Sequence, residues 1–181
     1  MKCLARSLAL ILGLFALSPA AFGADSTPAD LVASAMAAAP PSITAHAAVM
    51  TLPQMTVLRQ GTNGWTCFPD DPGSPGKDPM CTDANGMAWM QALMAHRAPP
   101  AGKAGMAYML AGGSDASNLD PYAAKPASGA AWVTTGPHVM ILGADIAESS
   151  GYPSGQANPD TSRPYVMYGG TPYAHIMMPV K

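Results

Sequence analysis

Two cysteines, Cys67 and Cys81, stand on either side of a segment rich in Pro, Gly and Asp. A disulfide between them would tie the ends of that segment together and constrain every arrangement of the chain around it. Pairing is expected if the protein is exported, because an oxidising compartment favours the bond. The third cysteine, Cys3, lies in the N-terminal stretch that export would remove. The pair therefore predicts a closed scaffold loop.

Residues 1–23 have the three parts of a signal peptide. Lys2 and Arg6 precede an apolar run over 8–17, and a small-residue exit ends at Gly23. A membrane-spanning helix needs roughly 20 apolar residues, and this run is shorter. The sequence thus predicts cleavage, a periplasmic or secreted protein, and no membrane anchor after cleavage.

The charge pattern excludes a nucleic-acid partner. Nine Lys and Arg face eleven Asp and Glu, for a net charge of −2, and the basic residues beyond the signal peptide are scattered singly. Binding to a phosphate backbone requires clustered cations. With 19 Pro and 18 Gly in 181 residues, the chain is expected to form short elements joined by long irregular loops.

Two boundaries follow from composition. Residues 24–42 are rich in Ala and Pro and are interpreted as a linker that carries at most a short helix over 30–38, with Asp30 as its cap and Pro40-Pro41 as its stop. Residues 43–181 are interpreted as a single globular domain. Alternating apolar positions predict a strand over 43–50, and a second strand is expected over 55–59.

The main helix is predicted after Cys81. Thr82 or Asp83 can cap it, and Pro99 prevents it from continuing beyond Arg97. Short apolar runs then alternate with turns. The pattern predicts an α+β or mainly β fold, in which an antiparallel sheet of short strands accompanies one main helix and long Pro/Gly-rich loops. The expected later strands are 106–110, 131–134, 138–142, 165–168 and 174–180.

The sharpest chemical pattern is a pair of tripeptides, His138-Val139-Met140 and His175-Ile176-Met177. Side chains alternate along a strand, so His and Met of each tripeptide share a face. Two such strands side by side would offer two imidazoles and two thioethers to one ion, a set that suits copper. The competing interpretation is a methionine-rich core. Haem is less favoured, since the chain has no Cys-x-x-Cys-His.

A second candidate set of ligands lies in the segment 112–121. Asp115, Asn118 and Asp120 supply oxygen donors of the kind that calcium accepts. The alternative is that these residues form turns through bonds to their own backbone. The spacing does not match an EF-hand loop.

No catalytic motif emerges. The sequence has neither a Gly-x-Ser-x-Gly elbow nor a His-Glu-x-x-His string, and paired cysteines cannot act as nucleophiles. The catalytic residues therefore stay unassigned. The aromatic residues that are candidates for lining a ligand cleft are Trp65, Trp89, Trp132, Tyr165, Tyr168 and Tyr173.

Three strings resemble a family of small exported bacterial proteins of uncharacterised function. They run over 58–67, 136–141 and 170–175, and the resemblance spans about residues 56–180. The resemblance implies only that both His-Met strands belong to one domain, and it brings no activity with it.

Three functional hypotheses remain open. The first is an exported binding protein that holds copper or another small ligand near His138, Met140, His175 and Met177. The second is a periplasmic enzyme that uses His138 or His175 with Asp115 or Asp120. The third is a structural module that interacts with the cell envelope, which would show an exposed apolar patch and no deep pocket.

Overall fold

The computed structural model describes residues 26–180, so the predicted signal peptide over 1–23 lies outside the described residues. None of the helices within 26–180 is long and apolar enough to cross a bilayer. The described chain forms these elements: α1 (Pro28–Ala35), α2 (Pro41–Thr44), β1 (Ala48–Met50), β2 (Val57–Arg59), β3 (Thr66–Phe68), β4 (Met80–Thr82), α3 (Ala84–Met94), β5 (Gly105–Met109), β6 (Gly113–Asp115), β7 (Val133–Thr135), β8 (His138–Leu142), α4 (Ala144–Ser149), β9 (Tyr165–Met167) and β10 (His175–Pro179).

Eight of the strands form one sheet in the order β2-β1-β3-β4-β5-β8-β10-β9. Neighbours pair antiparallel except β1 and β3, which are parallel. The remaining strands, β6 and β7, form a separate antiparallel pair. The predicted fold class is confirmed: a sheet of short, mostly antiparallel strands accompanies one main helix, α3.

Helix α3 begins where the sequence predicts. The Asp83 carboxylate accepts a hydrogen bond of 2.8 Å from the Gly86 amide and caps the helix. The helix ends at Met94, before the prolines. Gly86 lies in the first turn, where an added Cβ would meet the Thr82 side chain, and its backbone lies directly against Gly105 of β5.

The N-terminal region differs from the prediction. Thr27, rather than Asp30, is the N-cap of α1, and the two residues form a capping box. Ala35 and Ala38 are fully buried, so this stretch belongs to the folded domain rather than to a linker.

The predicted strand over 43–50 is wrong in its first half. Residues 41–44 form helix α2 and only 48–50 are extended. Pro41 accounts for the difference: its fixed φ suits the first position of a helix, and it begins α2 instead of blocking one.

The predicted disulfide joins Cys67 of β3 to Cys81 of β4, which lie directly opposite each other in the sheet. Both cysteines are fully buried, and the Cys81 sulfur lies 3.9 Å from the Ala35 carbonyl oxygen of α1. The bond therefore closes the loop over 68–80 from its base inside the protein, beneath the N-terminal helix.

The sheet is covered on both faces. One face packs against α3 and carries the largest core cluster, which includes Trp89 of the helix and Met140 of β8. The opposite face carries two smaller clusters. One surrounds the disulfide beneath α1, and the other packs Ile176 of β10 against Ala147 of α4. Both His-Met pairs lie on the face that packs against α3, so this face carries the candidate site.

Replacement of both cysteines by alanine should lower the melting temperature. The bond closes a loop with a sequence separation of 14 residues, which in the chain-entropy model is worth about 3 kcal/mol, or roughly 6–12 °C for a domain of this size. Thermal unfolding followed by circular dichroism measures it. Equal melting temperatures for the oxidised wild type and the double variant would contradict this role.

Replacement of Gly105 by alanine should also destabilise the fold. The added Cβ would meet the Gly86 backbone, and moving α3 away should cost about 1–3 kcal/mol. Gly136→Ala is the matched control, because a Cβ there meets nothing within 4 Å. Urea denaturation of the two variants compares them, and equal midpoints would show that α3 does not need this close approach.

Candidate functional site

The two His-Met tripeptides occupy neighbouring strands in the middle of the covered face. Strands β8 and β10 pair antiparallel, with Met140 directly opposite Met177. His138 lies opposite Pro179, and His175 lies opposite Leu142. Because residues opposite each other share a face, both histidines and both methionines point to the side of the sheet that packs against α3.

The antiparallel register separates the two histidines. They lie at opposite ends of the paired segment, four positions apart along the strands, which corresponds to roughly 13 Å between their backbones. The prediction that His138, Met140, His175 and Met177 surround one ion is therefore wrong for the set as a whole. Met140 and Met177 lie between the two histidines, and the two histidines have different surroundings.

The His175 imidazole is buried and held in one orientation. Its Nδ1 lies 3.0 Å from the Tyr173 carbonyl oxygen, so Nδ1 carries the proton and donates. The ring meets Trp89 and Tyr168 edge-on, each at a centroid distance of 5.3 Å. Nε2 on the opposite edge of the ring forms no hydrogen bond with the described residues.

Burial determines the protonation state of His175. It lowers the pKa to about 4, against an opposing effect of the Tyr173 carbonyl and with a small further lowering by His138. The imidazole is therefore neutral at neutral pH, and its Nε2 lone pair is available to a ligand.

His138 has the same tautomer in a more closed setting. Its Nδ1 donates to the Gly136 carbonyl at 2.7 Å, and its Nε2 is buried without a partner among the described residues. A Cβ at Gly113 would lie 3.1 Å from the ring, so β6 packs closely on this histidine. Burial lowers its pKa. His138 is thus sealed by the β6–β7 pair, whereas His175 borders open space.

That open space is a cleft of about 250 Å³ between the sheet, α3 and the loop over 68–80. We call it the methionine cleft. It is mostly apolar, and His175 is its only histidine among the described residues. Besides His175, its principal lining side chains are Met80, Met90, Met109, Met140, Met167, Met177, Trp89 and Tyr168.

One side of the methionine cleft is acidic. Asp71, Asp78 and Asp115 line it, and none of its described lining residues is a lysine or arginine. Burial, together with the nearby charge of Asp78, raises the pKa of Asp115 to about 7. Burial also raises the pKa of Asp78, although a hydrogen bond from Ser74 opposes it. Below neutral pH at least one of these carboxyl groups holds a proton.

The oxygen donors predicted for calcium do not converge. Asp115 lines the methionine cleft, whereas the buried Asn118 amide donates at 2.7 Å to the Gln156 carbonyl. Asp120 is exposed and accepts a hydrogen bond of 2.9 Å from the Tyr122 amide. Among residues 26–180, no group of three or more His, Cys, Asp or Glu side chains has metal-binding geometry. Asp120 and its neighbours therefore build turns.

Residues 26–180 contain no histidine–carboxylate pair of the kind the enzyme hypothesis requires. Over 26–180, the basic and acidic side chains that approach within 4.0 Å are Arg163 and Asp160, at 3.6 Å on the surface. Asp120, one proposed partner, is exposed, and the other, Asp115, is not hydrogen-bonded to a histidine. The predicted dyad does not form in this conformation.

Sequence reasoning found part of the site. Among the aromatic residues predicted for a cleft, Trp89 and Tyr168 line it. Met167 was missed, although the alternation within β9 places it with Tyr165 on one face. Its position beside His175 depends on the pairing of β9 with β10, which no local pattern indicates.

A second, larger cavity of about 360 Å³ lies between residues 98–104 and the start of α4. Lys103 and Asp145 are its charged lining residues. Neither is buried, and within the described residues no buried polar atom without a partner belongs to its lining. The methionine cleft is therefore the stronger candidate.

Comparison with protein-family models, curated proteins and solved structures gives no significant match. The geometry of the methionine cleft is therefore the basis for assigning a function.

Asp115→Asn should remove a pH dependence of stability. The folded state raises the pKa of Asp115 to about 7, so its stabilising effect is complete below the unfolded-state pKa and is lost as pH rises through the folded value. Between pH 5 and 8, the free energy of unfolding of the wild-type protein should fall by on the order of 1 kcal/mol more than that of the variant. The difference is no larger because the Asp115 side chain is partly exposed to solvent. Urea denaturation at both pH values measures it. An equal fall in the free energy of unfolding of the two proteins would contradict the raised pKa of Asp115.

Proposed function

We propose that this protein is an exported binding protein that holds a small ligand in the methionine cleft. The observation that carries the proposal is a buried, neutral imidazole, His175, whose Nε2 has no partner in a cleft of about 250 Å³ lined by thioethers. The Nε1–H of Trp89, which also lines the cleft, is buried without a partner among the described residues. A buried polar atom without a partner costs free energy, and a ligand that engages it recovers that cost.

Export is part of the proposal and is supported by two features. The first 23 residues have the charge and hydropathy pattern of a signal peptide. The Cys67–Cys81 disulfide is of the kind found in oxidising compartments. Both favour a periplasmic or secreted protein.

Binding is favoured over catalysis by the properties of the same groups. With a pKa of about 4, His175 is a weak base near neutral pH. Asp115 is not hydrogen-bonded to it, and the cysteines are paired. A structural envelope module is less favoured, because it predicts no deep pocket, whereas the methionine cleft is enclosed by three parts of the fold.

Methyl NMR of protein labelled with [13C-methyl]methionine tests the proposal. Indole serves as a neutral probe and benzylamine as a cationic one, since the acidic side of the cleft favours a cation. Saturable shifts are expected at the methyl groups of Met140, Met167 and Met177. Met94 on the exposed face of α3 and Met178 on the opposite face of β10 are internal controls.

The distribution of the shifts decides between outcomes. Shifts confined to cleft methyl groups support a binding site there. Shifts of equal size at Met94 and Met178, or none with either probe and none with the metal ions used below, would overturn the proposed function.

A further inference from the structure

We propose that the methionine cleft binds a soft monovalent metal ion, Cu(I), through His175 Nε2 and the thioether sulfurs of Met167 and Met177. This inference rests on the proposed function and names its ligand class. It replaces the four-residue set predicted from the two tripeptides with a set drawn from two paired strands, β9 and β10.

The strand register brings these three side chains together. Met167 lies directly opposite His175 in the pairing of β9 with β10. Side chains at such positions have Cβ atoms about 5 Å apart. Met177 is two residues along β10 from His175 and therefore on the same face, about 7 Å away. All three side chains line the methionine cleft.

The methionines can adjust their sulfur positions to a bound ion. An unbranched side chain with three rotatable bonds lets the sulfur move by a few ångströms without backbone motion. Met140 lies opposite Met177 on β8 and also lines the cleft, so a third thioether is within the same space. The imidazole is the fixed element and the thioethers are the mobile ones.

The donor chemistry selects a soft ion. Thioether sulfur favours Cu(I), and imidazole accepts it, whereas calcium and magnesium require oxygen ligands. Among residues 26–180 no cysteine thiolate is available to attract zinc, because Cys67 and Cys81 are paired on the other side of the sheet. Two neutral thioethers and one neutral imidazole add no charge, which suits a monovalent ion in an apolar cleft better than a divalent one.

The surroundings of His175 prepare it as a ligand. The Tyr173 carbonyl fixes the Nδ1–H tautomer and leaves Nε2 free, as the backbone partners of metal-binding histidines do. Trp89 and Tyr168 flank the ring and shield it from water.

The acidic side of the cleft complements a cation. Asp78 and Asp115 line the same space, and no described cation there offsets them. They are hard donors and are not assigned as ligands. When ionised, their charge favours entry of a positive ion and offsets its charge once it is bound.

Competition for Cu(I) against bicinchoninate, with mature protein under anaerobic conditions, tests the inference. Wild-type protein should take up one Cu(I). Met167→Leu and Met177→Leu keep nearly the same volume and should each weaken binding about tenfold or more. Met178→Leu is the matched control, because Met178 lies on the same strand but on the opposite face, and it should bind like wild type.

A second readout separates loss of a ligand from loss of the fold. Ag(I), which is soft and does not change oxidation state, should shift the methyl resonances of Met167 and Met177 and leave Met178 unshifted. Near-ultraviolet circular dichroism of each variant should match wild type. His175→Ala, if it retains that spectrum, should abolish the Ag(I) shifts.

The outcomes are distinguishable from failure of the proposed function. If indole or benzylamine binds in the cleft but neither Cu(I) nor Ag(I) does, this inference is overturned and the proposed function stands. If no probe binds, both fall. If Zn(II) binds as tightly as Cu(I), or Met178→Leu weakens binding as much as Met177→Leu, the assignment of a soft thioether site is overturned.

Discussion

The antiparallel pairing of β8 with β10 is the constraint on which the rest of this structure depends. These strands are the sixth and seventh of the eight-stranded sheet, next to its edge strand β9, and they pair along their five-residue length. Their register puts Met140 against Met177 and sends the two histidines to opposite ends. One histidine is consequently sealed beneath β6, and the other borders a cleft. The same pairing that builds the core thus decides which imidazole a ligand can reach.

Local signals in the sequence predicted a substantial part of the fold. The period of two predicted which side chains of 138–142 and 174–180 share a face, since that depends only on alternation. A capping carboxylate and a following pair of prolines located α3. The cysteine pair predicted its own bond. Each of these inferences uses residues that are close together in the chain or, for the disulfide, the two cysteines that lie beyond the predicted signal peptide.

Local signals did not predict the register in which the strands pair or whether neighbouring strands run parallel or antiparallel. Nothing in either tripeptide indicates whether β8 and β10 run parallel or antiparallel, and the copper set of four needed both histidines at the same end of the paired strands. Likewise, nothing near Met167 indicates that β9 adds to the far edge of β10. The strand predicted over 43–50 was wrong in its first half for another reason. A proline that ends one helix, such as Pro41, also suits the first turn of the next.

The disulfide and the cleft are parts of one arrangement. The loop that Cys67 and Cys81 close carries Asp71 and Asp78 to the acidic side of the cleft. Within that loop the Asp71 amide donates at 2.9 Å to the Asp78 carboxylate.

A contact between this loop and β6 links the two sides of the acidic region. The Ser114 hydroxyl donates at 2.6 Å to the Pro75 carbonyl, beside Asp115. The carboxyl groups are therefore held near the thioethers by covalent and hydrogen-bonded structure rather than by a ligand. Because a site ordered in advance loses less entropy on binding, the proposed function gives the buried disulfide a part in recognition as well as in stability.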